Sequence, residues 1–156
     1  MFGSSSNGKK RFGLPRMQKT KPGAPAGIDA EQLKQLPTVT ESAVVTCIDY
    51  SPDRFQIQTV ENIGDFVAKH RDPDVAVRWI NVDGLKDMNV ISALAKKYEL
   101  HPLALEDLVH PGTRPKVEAY PSTAEHSSRL FILARMMYLV EKQLRCEQVC
   151  FFLGHH

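Results

Sequence analysis

Apolar and polar positions alternate in short blocks along most of this chain, and the period of each block predicts an element. Ala43–Asp49 and Phe55–Val60 are β-branched and aromatic runs separated by Tyr50-Ser51-Pro52-Asp53-Arg54, which is turn chemistry, so they predict a hairpin. Phe55, Ile57 and Thr59 alternate with Gln56 and Gln58, which predicts one wet face. Ile63, Phe66 and Val67 have helical spacing and predict a short helix over Ile63–His70, ended by Pro73. Val75–Val82 predicts a buried strand with Trp79 in the core, leaving through Asp83-Gly84. Asp87 then caps a helix whose apolar face is Met88, Ile91, Ala95 and Tyr98, with Lys96 and Lys97 toward water at its end.

The passage Leu100–Tyr120 carries the densest chemistry. Pro102 suits a first helical turn and Pro111 bars continuation, so a helix is confined to Pro102–His110, about two turns. Leu105, Leu108 and Val109 make its apolar stripe, leaving Glu106, Asp107 and His110 toward water or a partner. Such an edge could hold a hard cation; it could equally be a solvated helix edge with Glu106 pairing His110. Lys116–Tyr120, Leu130–Val140 and Glu147–Leu153 predict three strands, the last two antiparallel across a polar turn near Glu141–Gln143. The expected fold class is α/β: a layered α/β/α sandwich around a mixed parallel/antiparallel sheet.

Composition bounds this picture. With 156 residues and 42% apolar content, one ordinary domain with a real core is expected. The net charge of +2 hides an asymmetry: six of the twenty basic residues precede the first acid, Asp29, leaving fourteen to face eighteen acids. Residues 1–40 are therefore expected to be a basic, largely disordered arm, and 41–156 the α/β domain. Only Phe2 and Phe12 accompany the arm's basic residues, too few for base stacking, so no nucleic-acid partner is expected. Cys47, Cys146 and Cys150 are an odd count without a CxxC pair, which fits reduced cysteines serving as small buried hydrophobes in a cytosolic setting. No window reaches the ~18 apolar residues of a membrane-spanning helix.

Several segments, taken in order, carry a resemblance: Trp79–Gly84 (WINVDG), His101–Asp107 (HPLALED), Arg114–Glu118 (RPKVE), Leu130–Ile132 (LFI) and Glu147–Gly154 (EQVCFFLG). Together they resemble the cytoplasmic N-terminal domain of CorA-type magnesium and cobalt transporters, from about Ala43 to Gly154. The resemblance implies a divalent-cation-sensing regulatory domain, not an enzyme, of an inner-membrane transporter. The transporter would be a funnel-shaped homopentamer whose stalk and two membrane helices lie beyond this segment, which itself is cytoplasmic. It further implies a weak regulatory Mg²⁺ site between protomers, with Co²⁺ as an alternative ion, to which Asp107 first and Glu106 second would contribute. His101 reads as a helix-start residue and Arg114 as a turn anchor. Pro121–Arg129 departs from the family by lengthening a turn, and reads as an exposed loop; the pore signature Gly-Met-Asn is absent. Two other functions compete: a stand-alone soluble metal-binding sensor, and a cytosolic metal-dependent hydrolase using His101, Glu106, Asp107 and His110. The histidine spacing does not match the HExxH arrangement that the second would favour. Phe151–Gly154 reads as a strand entering a turn, so an edge strand or a fragment is expected, and His155-His156 as native residues or a tag remnant.

Overall fold

The structure, a computed structural model, describes residues 26–36, 42–110, 112–124 and 126–154. The expected disorder of the segment before residue 26 and any role of His155 and His156 lie outside the described residues. In chain order the elements are α1 (Ala30–Leu33), β1 (Val44–Ser51), β2 (Arg54–Thr59), α2 (Ile63–Ala68), β3 (Val77–Asp83), α3 (Met88–Lys97), α4 (Pro102–Val109), β4 (Lys116–Tyr120), β5 (Arg129–Val140) and β6 (Gln143–Leu153).

Helices and strands are both present, as the α/β class requires, but the strands do not form one mixed sheet. They form two three-stranded sheets, ordered β2-β1-β3 and β4-β5-β6, and every described pairing is antiparallel. Turn chemistry explains two of these pairings. Pro52-Asp53 folds β2 straight back on β1, with Ser51 opposite Arg54. Glu141 and Lys142, both at positive φ, make a two-residue turn that places Val140 opposite Gln143. The sheets meet where the Trp79 ring of β3 lies edge-on to Phe151 of β6, with centroids 6.3 Å apart.

The core lies between the helices and the inner faces of both sheets. Met88, Ile91 and Ala95 of α3 pack with Leu105 and Leu108 of α4, while Val90 and Leu94 turn the next face of α3 toward Val45 of β1. Ala104 seats α4 on Phe131 and Leu133 of β5. Asp87 caps α3, as its position predicts, by accepting the N–H groups of Asn89 and Val90. At the other end Glu99, at φ 50°, takes the left-handed position after the cap, and the Leu100 N–H bonds the Ala95 carbonyl.

Residues 26–36, inside the expected arm, pack on the body instead. Asp29 and Gln32 form a reciprocal capping box, the Ser92 hydroxyl donates to the Ala30 carbonyl at 2.5 Å, and Leu33 is fully buried. One buried leucine and a capped turn offset the entropy that a polar stretch would otherwise keep.

The outer faces differ most from expectation. Trp79 is 47% exposed rather than core, and β3 alternates between half-buried and exposed residues. All six residues of β2 are exposed, so Phe55 and Ile57 lack the apolar cover their alternation suggests. Helices cover only the opposite face of β1 and β3. Cys47 is buried as expected, whereas Cys150 is half-buried and Cys146 exposed. The β5–β6 ribbon outruns β4, whose pairing with β5 covers only Arg129–Leu133; Met137, Leu139 and Leu144 are exposed along its distal part.

Leu33→Ala is expected to destabilise the chain by about 2–5 kcal/mol, the range for a large-to-small change in a closed core. Urea unfolding checks it; a midpoint matching the parent would show that residues 26–36 are not part of the folded body.

Candidate functional site

Helix α4 is built as its prolines predict. His101 is the N-cap, its Nδ1 accepting the Leu103 N–H at 3.3 Å, and Pro102 occupies the first turn. Leu105 and Leu108 face inward and are buried. Two tertiary contacts fix the helix ends. At its start, the Ile28 N–H donates to the Pro102 carbonyl at 3.0 Å. At its end, Gln148 of β6 donates Nε2 to the carbonyls of Asp107 and Leu108, both at 3.1 Å.

The two carboxylates expected to face a partner are both engaged internally. Glu106 Oε2 accepts the Gly27 N–H at 2.8 Å. Gly27 is at φ 96°, and a Cβ there would come within 2.8 Å of Pro102 Cβ, so only glycine lets the chain pass this close. Asp107 Oδ2 lies 2.6 Å from Lys116 Nζ, with 18% of the Asp107 side chain exposed. The expected pairing of Glu106 with the His110 side chain does not occur; His110 Nδ1 instead lies 2.7 Å from the Glu106 backbone carbonyl.

Lys116 joins α4 to β4. Besides Asp107 it meets Glu118 Oε1 at 2.9 Å, and the Tyr120 hydroxyl donates to Glu118 Oε2 at 2.5 Å. The three β4 residues are at i, i+2 and i+4 and so share one strand face, a spacing visible in the sequence. Burial works against the charge on Lys116, yet its bonds to Asp107 and Glu118 outweigh that and raise its pKa. The Tyr120 hydroxyl and then Lys116 hold Glu118 below the usual carboxylate range. Burial, followed by the bond to Glu118, pushes the Tyr120 phenol up. An ammonium thus sits where an added cation would approach Asp107. Among the described residues no three His, Cys, Asp or Glu side chains gather to hold a metal ion.

Arg114, expected to anchor the turn before β4, is exposed and makes no hydrogen bond or ion pair among the described residues; Arg135 takes that role by donating Nη2 to the Thr113 carbonyl at 2.8 Å. The 121–129 segment is exposed along much of its length but tied down. Ser127 donates to Glu99 at 2.5 Å, Arg129 Nη2 donates to the Tyr98 carbonyl at 2.9 Å, and the backbone of Thr123 closes on His126. Arg129 is 6% exposed, a buried cation that nothing in the local sequence announces. The loop also brings His126 to 5.5 Å from the His101 ring, which stacks on Tyr120 at 4.3 Å.

No protein-family model matches the chain. It is 26% identical over 113 residues to the cobalt/magnesium transport protein CorA of Thermotoga maritima, a match covering 72% of this chain and 30% of that protein. The similarity points to a relationship with CorA-type transporters, of which the chain spans under a third of the relative's length. No helix among the described residues is long and apolar enough to cross a membrane.

His101 gives this shoulder a pH dependence. Burial, then the neighbouring His126, lowers its pKa, while Glu118 opposes them. A base with a depressed folded-state pKa is neutral in both states at high pH; as pH falls below about 6.5 the unfolded chain takes up the proton more readily and stability is lost. Protonation also removes the Nδ1 lone pair that caps α4. Between about pH 7.5 and 5.5 the urea midpoint should therefore fall, and His101→Asn, which caps without titrating, should flatten that fall. An unchanged slope in the variant would remove His101 as its source.

Proposed function

We propose that this chain is a regulatory domain of a CorA-like magnesium and cobalt transporter, lying on the cytoplasmic side of the inner membrane, with transport carried by membrane helices outside this segment. The observation that carries the reading is the 113-residue similarity, which covers most of this chain. That relative is a transport protein, which supports a non-enzymatic role. The exposed outer face supports the finer fold. Tyr50, Phe55, Ile57, Val77 and Trp79 are exposed on one face of the first sheet, and a second helical layer from the transporter would complete a sandwich there.

In this reading Asp107, with Glu106 as the second candidate, contributes to a weak Mg²⁺ site shared with a neighbouring protomer of a homopentamer. Mg²⁺ prefers oxygen ligands and keeps several waters, so one or two carboxylates from this side are chemically suitable. Each acid has a second carboxylate oxygen with no hydrogen bond among the described residues. Lys116 competes for Asp107, so a divalent ion gains that ligand at the expense of an existing ion pair. Co²⁺ would meet the same competition. The hydrolase alternative gains nothing from the geometry, because His101 caps one end of α4 and His110 lies against the Glu106 carbonyl at the other.

Two measurements test this. The gene's reading frame should continue into two apolar segments, the first followed by Gly-Met-Asn; a stop codon near residue 156 removes the transporter reading and leaves a free-standing sensor. In the full-length protein, Mg²⁺ should protect the domain from proteolysis. Asp107→Ala should raise the concentration needed by roughly tenfold or more, and Lys116→Met should lower it. Identical protection in all three proteins would exclude Asp107 as a ligand.

A further inference from the structure

On the helix-covered face of the first sheet, the connection between α2 and β3 borders a cavity of about 220 Å³. Its floor is an ion pair. Arg78 and Asp49 are opposite one another in the β3–β1 ladder; Arg78 donates Nε to Oδ1 at 2.8 Å and Nη2 to Oδ2 at 2.6 Å, and its guanidinium lies 5.5 Å from the centre of the Phe66 ring. Asp49 is 8% exposed. The same sheet face continues as Cys47, Val45 and Ile80, so packing alone would accept apolar residues at this register, and a buried ion pair adds little net stability over such residues. What the pair does supply is a rigid polar base to the cavity, with the guanidinium donors held by Asp49.

The rim is basic. Arg54 and Lys69 stand there with His70, and the amides of Gln56 and Gln58 line the side formed by β2. The lining holds three permanent cations against two carboxylates, Asp49 and Asp72, and both carboxylates are already paired, Asp72 with Arg54 at 2.8 Å. Lys69 makes no hydrogen bond or ion pair among the described residues, which leaves a positive charge at the mouth with no carboxylate assigned to it. The volume is enough for a tetrahedral oxyanion with a small substituent.

We infer that this cavity binds a phosphate group, either inorganic phosphate or the phosphate end of a small metabolite. Lys69 and Arg54 meet it at the rim, above the neutral Arg78–Asp49 pair that closes the floor. The site is separate from the α4 shoulder and does not depend on the transport reading.

The test is calorimetric titration of the 156-residue chain with inorganic phosphate and, separately, glycerol 3-phosphate, at constant ionic strength in chloride. Saturable binding is expected in wild type, and Lys69→Gln and Arg54→Gln should each weaken it by roughly tenfold. Lys96→Gln, the same charge change on the exposed side of α3, should leave it unaltered. Tighter glycerol 3-phosphate identifies a metabolite, and equal or weaker binding identifies free phosphate. Absence of saturable heat with either probe overturns the inference, as does a Lys96→Gln loss equal to that of Lys69→Gln. Far-UV circular dichroism confirms that the exposed-rim variants remain folded.

Discussion

An eight-residue helix cannot sustain itself in water, since the cost of nucleating so short a segment exceeds what its few internal hydrogen bonds return. Helix α4 exists because its surroundings hold it: Leu105 and Leu108 in the core, the 27–28 backbone at its start, and Gln148 beneath its last carbonyls. Each attachment comes from a different part of the chain. The position of Asp107 is therefore a property of the whole domain, and elements as distant in sequence as α1 and β6 take part in setting it.

That dependence explains why the sequence revealed the helix more readily than the site. Pro102, Pro111 and the 105/108 stripe locate α4 almost to the residue, because steric exclusion and helical period act locally. The hairpin chemistry of Pro52-Asp53 and the strand runs after residue 115 are equally local. Lys116 meeting Asp107, or Gly27 meeting Glu106, depends on how distant elements dock, and no period encodes it. Misreadings had the same origin. Trp79 and Val77 look like core because β-branched and aromatic residues signal a strand, yet whether both faces of that strand are covered is decided elsewhere. Leu33 is the opposite case: its signal, the Asp29–Gln32 capping box, is local but lies next to a stretch of basic, polar composition.

The two charged centres use electrostatics differently. At the shoulder, Lys116 bridges carboxylates from two elements and exchanges solvent for mutual neutralisation, so it ties α4 to β4 while keeping Asp107 occupied. Under the first sheet, Asp49 and Arg78 belong to adjacent strands and are already in register through the backbone. Their pairing adds orientation more than cohesion, because the ladder would hold those strands together without it.

The β5–β6 ribbon divides into a root and a tip. Its root carries Phe131, Leu133, Cys150 and Phe152 into the core and is held as far as the Arg135–Gln148 pair, whereas beyond that pair each strand has a single ladder neighbour and mostly exposed side chains. Separating or bending the outer part sacrifices little buried area, while the root stays locked by its aromatic pair. The ribbon thus acts as a cantilever: rigid where it is clamped, compliant at its free end, and open to being steered by whatever lies alongside it without loosening the domain that bears it.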